Sequence, residues 1–88
     1  MINIDQKDEN TFEVTIEEEG SKSTKTVTLD DKYHKKTTGG IIPKEETIKK
    51  SIEFLLEREP KESIMSKFNL KDIVKFFPEF ESYISMEH

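Results

Sequence analysis

Residues 51–81 read SIEFLLEREPKESIMSKFNLKDIVKFFPEFE, and this stretch holds most of the large apolar side chains of the chain. Its first part continues a helix that begins near Pro43, a residue suited to the first helical position. Glu45 and Glu46 then lie beside the positive end of the helix dipole. Ile48, Ile52, Leu55 and Leu56 follow the i, i+4, i+7, i+8 spacing of one buried stripe. Phe54 falls outside that stripe. At about 100° per residue it sits with Thr47, Ser51 and Arg58 on nearly the opposite side. The helix is therefore expected to touch two layers, the C-terminal helices on one side and a sheet on the other. Pro60 ends it near Glu57–Glu59 or starts the next element.

Beyond Pro60, KESIMSKF reads as a two-turn helix with Ile64, Met65 and Phe68 inward. Asn69 is placed to cap a further helix, LKDIVKFF, with Asp72 at its third position. Leu70, Ile73, Val74 and Phe77 would be its buried side. Pro78 ends that helix or opens a last turn carrying Phe80, Tyr83 and Ile84. Residues 85–88 read as a tail.

The N-terminal half changes period from 3.6 to 2. In TFEVTIEEE (11–19), Phe12, Val14 and Ile16 share one face; in STKTVTL (23–29), Lys25, Val27 and Leu29 share one. A type II′ turn at Gly20-Ser21 would pair Glu19 with Lys22, Ile16 with Lys25, Val14 with Val27 and Phe12 with Leu29. Every apolar residue then lands on one side, whereas a one-residue slip would scatter them. Residues 1–10, polar apart from Ile2 and Ile4, read as a flexible arm or at best a short extra strand. Asp30 or Asp31 can cap a short helix, DKYHKKT, closed by Gly39-Gly40. The expected fold is α+β: an N-terminal antiparallel β-hairpin packed on three to four short helices, in a single domain over residues 11–84.

Composition sets limits on function. A chain of 88 residues with 32% hydrophobic and 38% charged content can build only one small core. With no cysteine, disulfides, zinc–thiolate sites and thiol catalysis are excluded. No apolar run is long enough to cross a bilayer, and MINIDQKDEN lacks the features of a signal peptide, so a cytoplasmic protein without membrane contact is expected. A net charge of −5 gains little from approaching phosphates, so nucleic acid is not the expected main partner.

The segment from Ser51 to Glu81 also resembles a family of small prokaryotic proteins marked by S-F-x-F-L-L-E-R-E-P-x-x-S-I-L, then F-x-L-x-x-I, then F-P-x-Y-E. The matching residues are Ser51, Phe54, Leu55, Leu56, Glu57, Arg58, Glu59, Pro60, Ser63, Ile64, Phe68, Leu70, Ile73, Phe77, Pro78 and Glu81. Ile52, Met65 and Phe80 stand where that pattern has Phe, Leu and Tyr. The resemblance covers the helical half well and the hairpin more loosely. It implies no activity, so it assigns no functional residue.

Chemistry is sparsely represented. Arg58, the only arginine, lies between Glu57 and Glu59; it reads either as a contact for a partner or as a fork tying one helix end to the next element. His34 and His88 have no metal-ligand spacing, so no metal, cofactor or catalytic residue is expected. Lys32, Lys35 and Lys36 form the one basic cluster, offset by Asp30 and Asp31. Gly39-Gly40 does not match a phosphate loop. A helix-turn-helix over residues 60–77 offers Lys71 and Lys75 for nucleic acid against Asp72 and Glu79, and stands as the second reading. The first is a non-catalytic protein–protein interaction module, self-associating through the hairpin edges or meeting another protein, with Phe54, Arg58 and Phe76 as the interaction candidates. Phe54 and Phe76 either form an exposed aromatic patch or belong to the core.

Overall fold

The structure, a computed structural model, describes residues 1–86. It is an α+β arrangement of one four-stranded mixed sheet and four helices. The strands are β1 (Ile2–Gln6), β2 (Thr11–Glu18), β3 (Ser21–Thr28) and β4 (Lys67–Asn69), side by side in that order. The helices are α1 (Asp31–Thr38), α2 (Lys44–Leu56), α3 (Ile73–Phe76) and α4 (Phe80–Met86).

The β2–β3 hairpin forms, in a register different from the expected one. Glu18 pairs with Ser21, so Glu19-Gly20 makes the turn and not Gly20-Ser21. Both turn residues have positive φ, 50° and 79°. A type I′ turn requires this, and its twist matches that of the flanking strands. Val14 now faces Lys25, and Phe12 faces Val27. The sum of paired residue numbers shifts by two, an even step that leaves side chains on their original faces. Phe12, Val14, Ile16, Val27 and Leu29 are all fully buried. The outer face carries the Glu and Thr side chains, as suits an antiparallel sheet covered on one side.

The arm expected over residues 1–10 is largely a strand. Ile2–Gln6 pairs antiparallel with β2, with Ile2 opposite Ile16 and Ile4 opposite Val14. Its two isoleucines sit half-buried against the core. A two-stranded hairpin is marginal alone, and a third strand with an apolar inner face supplies what it lacks. At the other end, the reading of residues 85–88 as a tail meets α4, which continues to Met86. Ser85 Oγ donates to the Thr37 carbonyl at 3.0 Å, and residues 87–88 lie outside the described residues.

The largest departure lies at residues 61–69. In place of a two-turn helix there is one 3₁₀ turn, Lys61–Ser63, followed by extended chain. β4 then pairs parallel with β3, with Val27 opposite Phe68. Phe68 and Leu70 are buried on either side of half-buried Asn69, the alternation of a strand, while buried Ile64 lies four residues before Phe68, a spacing that one helical stripe shares. What selects the strand is distant in sequence. The Thr26 amide donates to the Ser66 carbonyl at 2.8 Å, and Lys25 Nζ donates to the Ile64 carbonyl at 2.7 Å. The flank of β3 needs a partner, and this segment provides it. The helix-turn-helix reading is thereby corrected: between residues 60 and 77 the α-helix is only the four residues of α3.

The helices obey their local signals more closely. Asp30 Oδ1 accepts from the Tyr33 amide at 2.8 Å, and Gly39, at φ 69°, closes α1. Pro43 sits one position earlier than expected, as the residue flanking α2. Asn69 Oδ1 accepts from the Lys71 amide, and Asp72 Oδ2 accepts from the Asn69 amide, a reciprocal cap on the 3₁₀ turn that leads into α3. α2 is buried on two sides, as its double pattern requires. Ile48, Ile52 and Leu55 lie in the core, with Leu56 only half-buried. On the other flank Thr47, Ser51 and Phe54 are fully buried. The two hydroxyls there donate to carbonyls one turn back, those of Pro43 and Thr47, and so enter the interior with their hydrogen bonds made.

Candidate interaction cleft

Phe54 projects from α2 into the C-terminal segments. Its ring meets Phe77 edge-on at 5.9 Å, Phe80 at 5.2 Å and Tyr83 at 4.9 Å between centroids. Edge-to-face pairs of this kind add about 0.5–1.5 kcal/mol beyond burial. With no exposed area, Phe54 is a core residue and offers no surface to a partner, which corrects its place among the interaction candidates.

Arg58 lies over the same ring, its guanidinium carbon 3.6 Å from the Phe54 centroid. One nitrogen donates to the Phe54 carbonyl at 3.0 Å, and Nε donates to Glu79 Oε2 at 3.3 Å. Glu57 approaches at 3.5 Å. The guanidinium thus closes the free carbonyl end of α2 and joins it to the segment before α4. Its planar fork and its stacking surface are both used, which a lysine could not reproduce.

Phe76 is different. It is 63% exposed, at the end of α3 next to the partly buried Phe77. It stands on the rim of a cleft of about 240 Å³. Leu55, Ile64, Phe68 and Ile73 line it as buried residues, and Met65 joins Phe76 as an exposed apolar group on the rim. Only Glu59 and Ser63 are polar among the lining residues. Glu59 is half-buried and, among the described residues, its carboxylate has no ion pair or hydrogen bond. The cleft exists because residues 64–66 run extended into β4. A helix there would have turned Met65 inward and filled the space. Sequence spacing singled out Phe76 but missed Met65 and Glu59, whose positions depend on β4.

Several charged groups elsewhere are paired with one another. The Tyr33 hydroxyl donates to Glu81 Oε2 at 2.9 Å, and Lys36 approaches the same oxygen at 3.6 Å. Burial, reinforced by the Glu81 carboxylate, pushes the Tyr33 phenol well above its ordinary pKa. His34 is half-buried, with Nε2–H donating to the Ile42 carbonyl. Lys32 and Lys36 meet Lys71 around a hollow of about 190 Å³ that also includes Asp30 and Tyr33, whereas Lys35 is not part of it. Lys44 binds Asp31 at 2.6 Å and Asn10 Oδ1 at 2.7 Å, tying α2 to the β1–β2 side. Among the described residues no group of three or more His, Asp or Glu side chains converges to hold a metal, and no helix is long and apolar enough to cross a membrane. Comparisons of the chain with protein-family models, with curated proteins and with solved structures return no match.

Proposed function

We propose that this protein is a cytosolic, non-catalytic interaction module that receives an apolar side chain of a partner protein in the cleft beside Phe76. The observation that carries this is the exposure of Phe76 and Met65 around an apolar hollow in a small, strongly charged chain. Exposed apolar groups clustered at a concavity mark contact sites, whereas single ones scattered over a surface do not. The volume suits one leucine- or phenylalanine-sized side chain. The unpaired Glu59 carboxylate on the rim favours a lysine or arginine next to that residue in the partner. The Arg58 contacts to the Phe54 carbonyl, the Phe54 ring and Glu79 hold the α2 end that forms one wall, so Arg58 acts through position and not through contact with the partner.

Selection from a library of displayed peptides tests this. Enriched sequences should combine one large apolar residue with a neighbouring basic one. Phe76→Ser should weaken their binding by about tenfold or more, the equivalent of about 1.4 kcal/mol, with an unchanged melting temperature. Glu59→Gln should weaken only the peptides with a basic neighbour. Peptides that bind Phe76→Ser as tightly as the parent protein would refute the cleft as the site. The lysine hollow at Lys32, Lys36 and Lys71 gives a nucleic-acid partner a weaker footing, because Asp30 and Glu81 stand among those lysines.

A further inference from the structure

The hairpin edges expected to mediate self-association are covered within the chain: β1 lies along β2, and β4 lies along part of β3. The sheet's two outer edges are consequently β1 and β4, and they differ. β4 is three residues long with Lys67 exposed, a short and charged edge of the kind that resists further pairing. β1 is five residues, Ile-Asn-Ile-Asp-Gln, with no proline and no lysine. Its one charged residue, Asp5, is paired with Lys7 at 2.7 Å, which leaves this edge lightly guarded.

Hydrogen bonding shows which of its groups face outward. Met1 and Glu17 exchange both backbone bonds at 2.8 Å, and the Lys7 amide donates to the Thr11 carbonyl at 2.8 Å. In an antiparallel strand every second residue points its N–H and C=O toward the same neighbour. Met1, Asn3, Asp5 and Lys7 therefore turn theirs to β2. Ile2, Ile4 and Gln6 turn theirs away from the sheet, and among the described residues nothing bonds to them. Beside this edge runs a groove of about 310 Å³ whose far wall is the start of α2, with Glu45, Glu46 and Lys49.

We propose that two copies of this chain join edge to edge through antiparallel β1 strands, centred on Ile4, to make one continuous sheet. The register follows from the pattern. Outward groups must meet outward groups and apolar faces must match, so only pairings with an even residue sum are allowed. Centring on Ile4 sets Ile4 opposite Ile4 and Ile2 opposite Gln6, and so uses all three outward residues of both strands. It also sets the Asn3 amide opposite the Asp5 carboxylate on the outer face, a donor against an acceptor. Centring on Asn3 leaves Gln6 unused and places Asp5 opposite Met1. A two-fold contact puts one patch against its own copy, so the patch must be self-complementary. The strand meets this condition, since Ile4 faces its own copy and Asn3 faces Asp5 in both directions. The proposal concerns a surface separate from the cleft and does not depend on it.

Sedimentation of the full chain over a range of concentrations should show a monomer–dimer equilibrium. Gln6→Pro removes one outward N–H from an exposed side chain's position and leaves the pairing with β2 intact. It should weaken association by about tenfold or more while the melting temperature of the monomer holds. The register is tested by cysteines, since the chain has none. Asn3 and the partner's Asp5 would form a non-hydrogen-bonded pair, whose Cα separation of about 4.5 Å allows a disulfide. A mixture of Asn3→Cys and Asp5→Cys chains should cross-link as heterodimers on mild oxidation. A chain that stays monomeric at its highest soluble concentration, a dimer unaffected by Gln6→Pro, or cross-linking confined to Asn3→Cys homodimers would each overturn the proposal.

Discussion

Two side chains show how a single residue can be read wrongly in isolation and correctly in place. Phe54 stands off the main apolar stripe of α2, which allows either a surface patch or a second buried layer. Contact with Phe77, Phe80 and Tyr83 makes it the pivot of the C-terminal packing. Phe54→Ala should accordingly lower unfolding free energy by about 3–5 kcal/mol in a denaturant titration; a loss below 1 kcal/mol would show that the ring is not held in a packed interior. Lys25 presents the opposite case, a charged residue in an inward position of β3. Its stem crosses the apolar face, and its ammonium reaches the Ile64 carbonyl at the boundary of the core. Lys25→Ala should cost about 1.5–3 kcal/mol, the usual range for a hydrogen bond to a charged group. Amide exchange should accelerate at Thr26 and Phe68, because the bond helps hold β4 against β3.

At the scale of elements, local chemistry was legible where a cap or turn residue acts on its immediate neighbours. Asp30, Gly39 and Asn69 with Asp72 all act as their types suggest. The hairpin was legible in existence and in facing, but not in register. Period two constrains only the parity of pairing, and both Gly20-Ser21 and Glu19-Gly20 satisfy it. The choice fell to a turn that places Glu19 at φ 50°, where a side chain is disfavoured by roughly 1–2 kcal/mol. Asparagine tolerates that conformation. Glu19→Asn should raise the melting temperature, with a gain of up to about 1 kcal/mol; a fall in stability would mean that the Glu19 side chain makes a contribution the turn geometry does not explain.

For the molecule as a whole, the charged surface sets how stability responds to pH. Asp8, Asp31, Glu62 and Asp72 all have carboxyls held below their ordinary range. The Asn10 backbone amide does this for Asp8, Lys44 for Asp31, Lys61 for Glu62 and the Asn69 backbone amide for Asp72. As pH falls through about 4 the unfolded chain takes up protons first, so its population grows and stability drops. Tyr33 has its phenol raised, chiefly by burial, so the unfolded chain loses that proton first once pH passes about 10, and stability drops again. The melting temperature should therefore peak between these limits. Asp72→Asn should flatten the acid limb and Tyr33→Phe the alkaline one; profiles unchanged by both would show that these groups do not set it. By itself the sequence determined the α+β class, the inward faces of β2 and β3, the two-sided burial of α2 and the caps, because each depends on periodicity or on residues within a turn of one another. The tertiary structure alone decided that residues 67–69 form a strand, that residues 2–6 complete the sheet, and that a cleft opens beside Phe76. Those outcomes depend on hydrogen bonds from β3 to Ser66 and from Met1 to Glu17, between groups whose meeting no local pattern encodes.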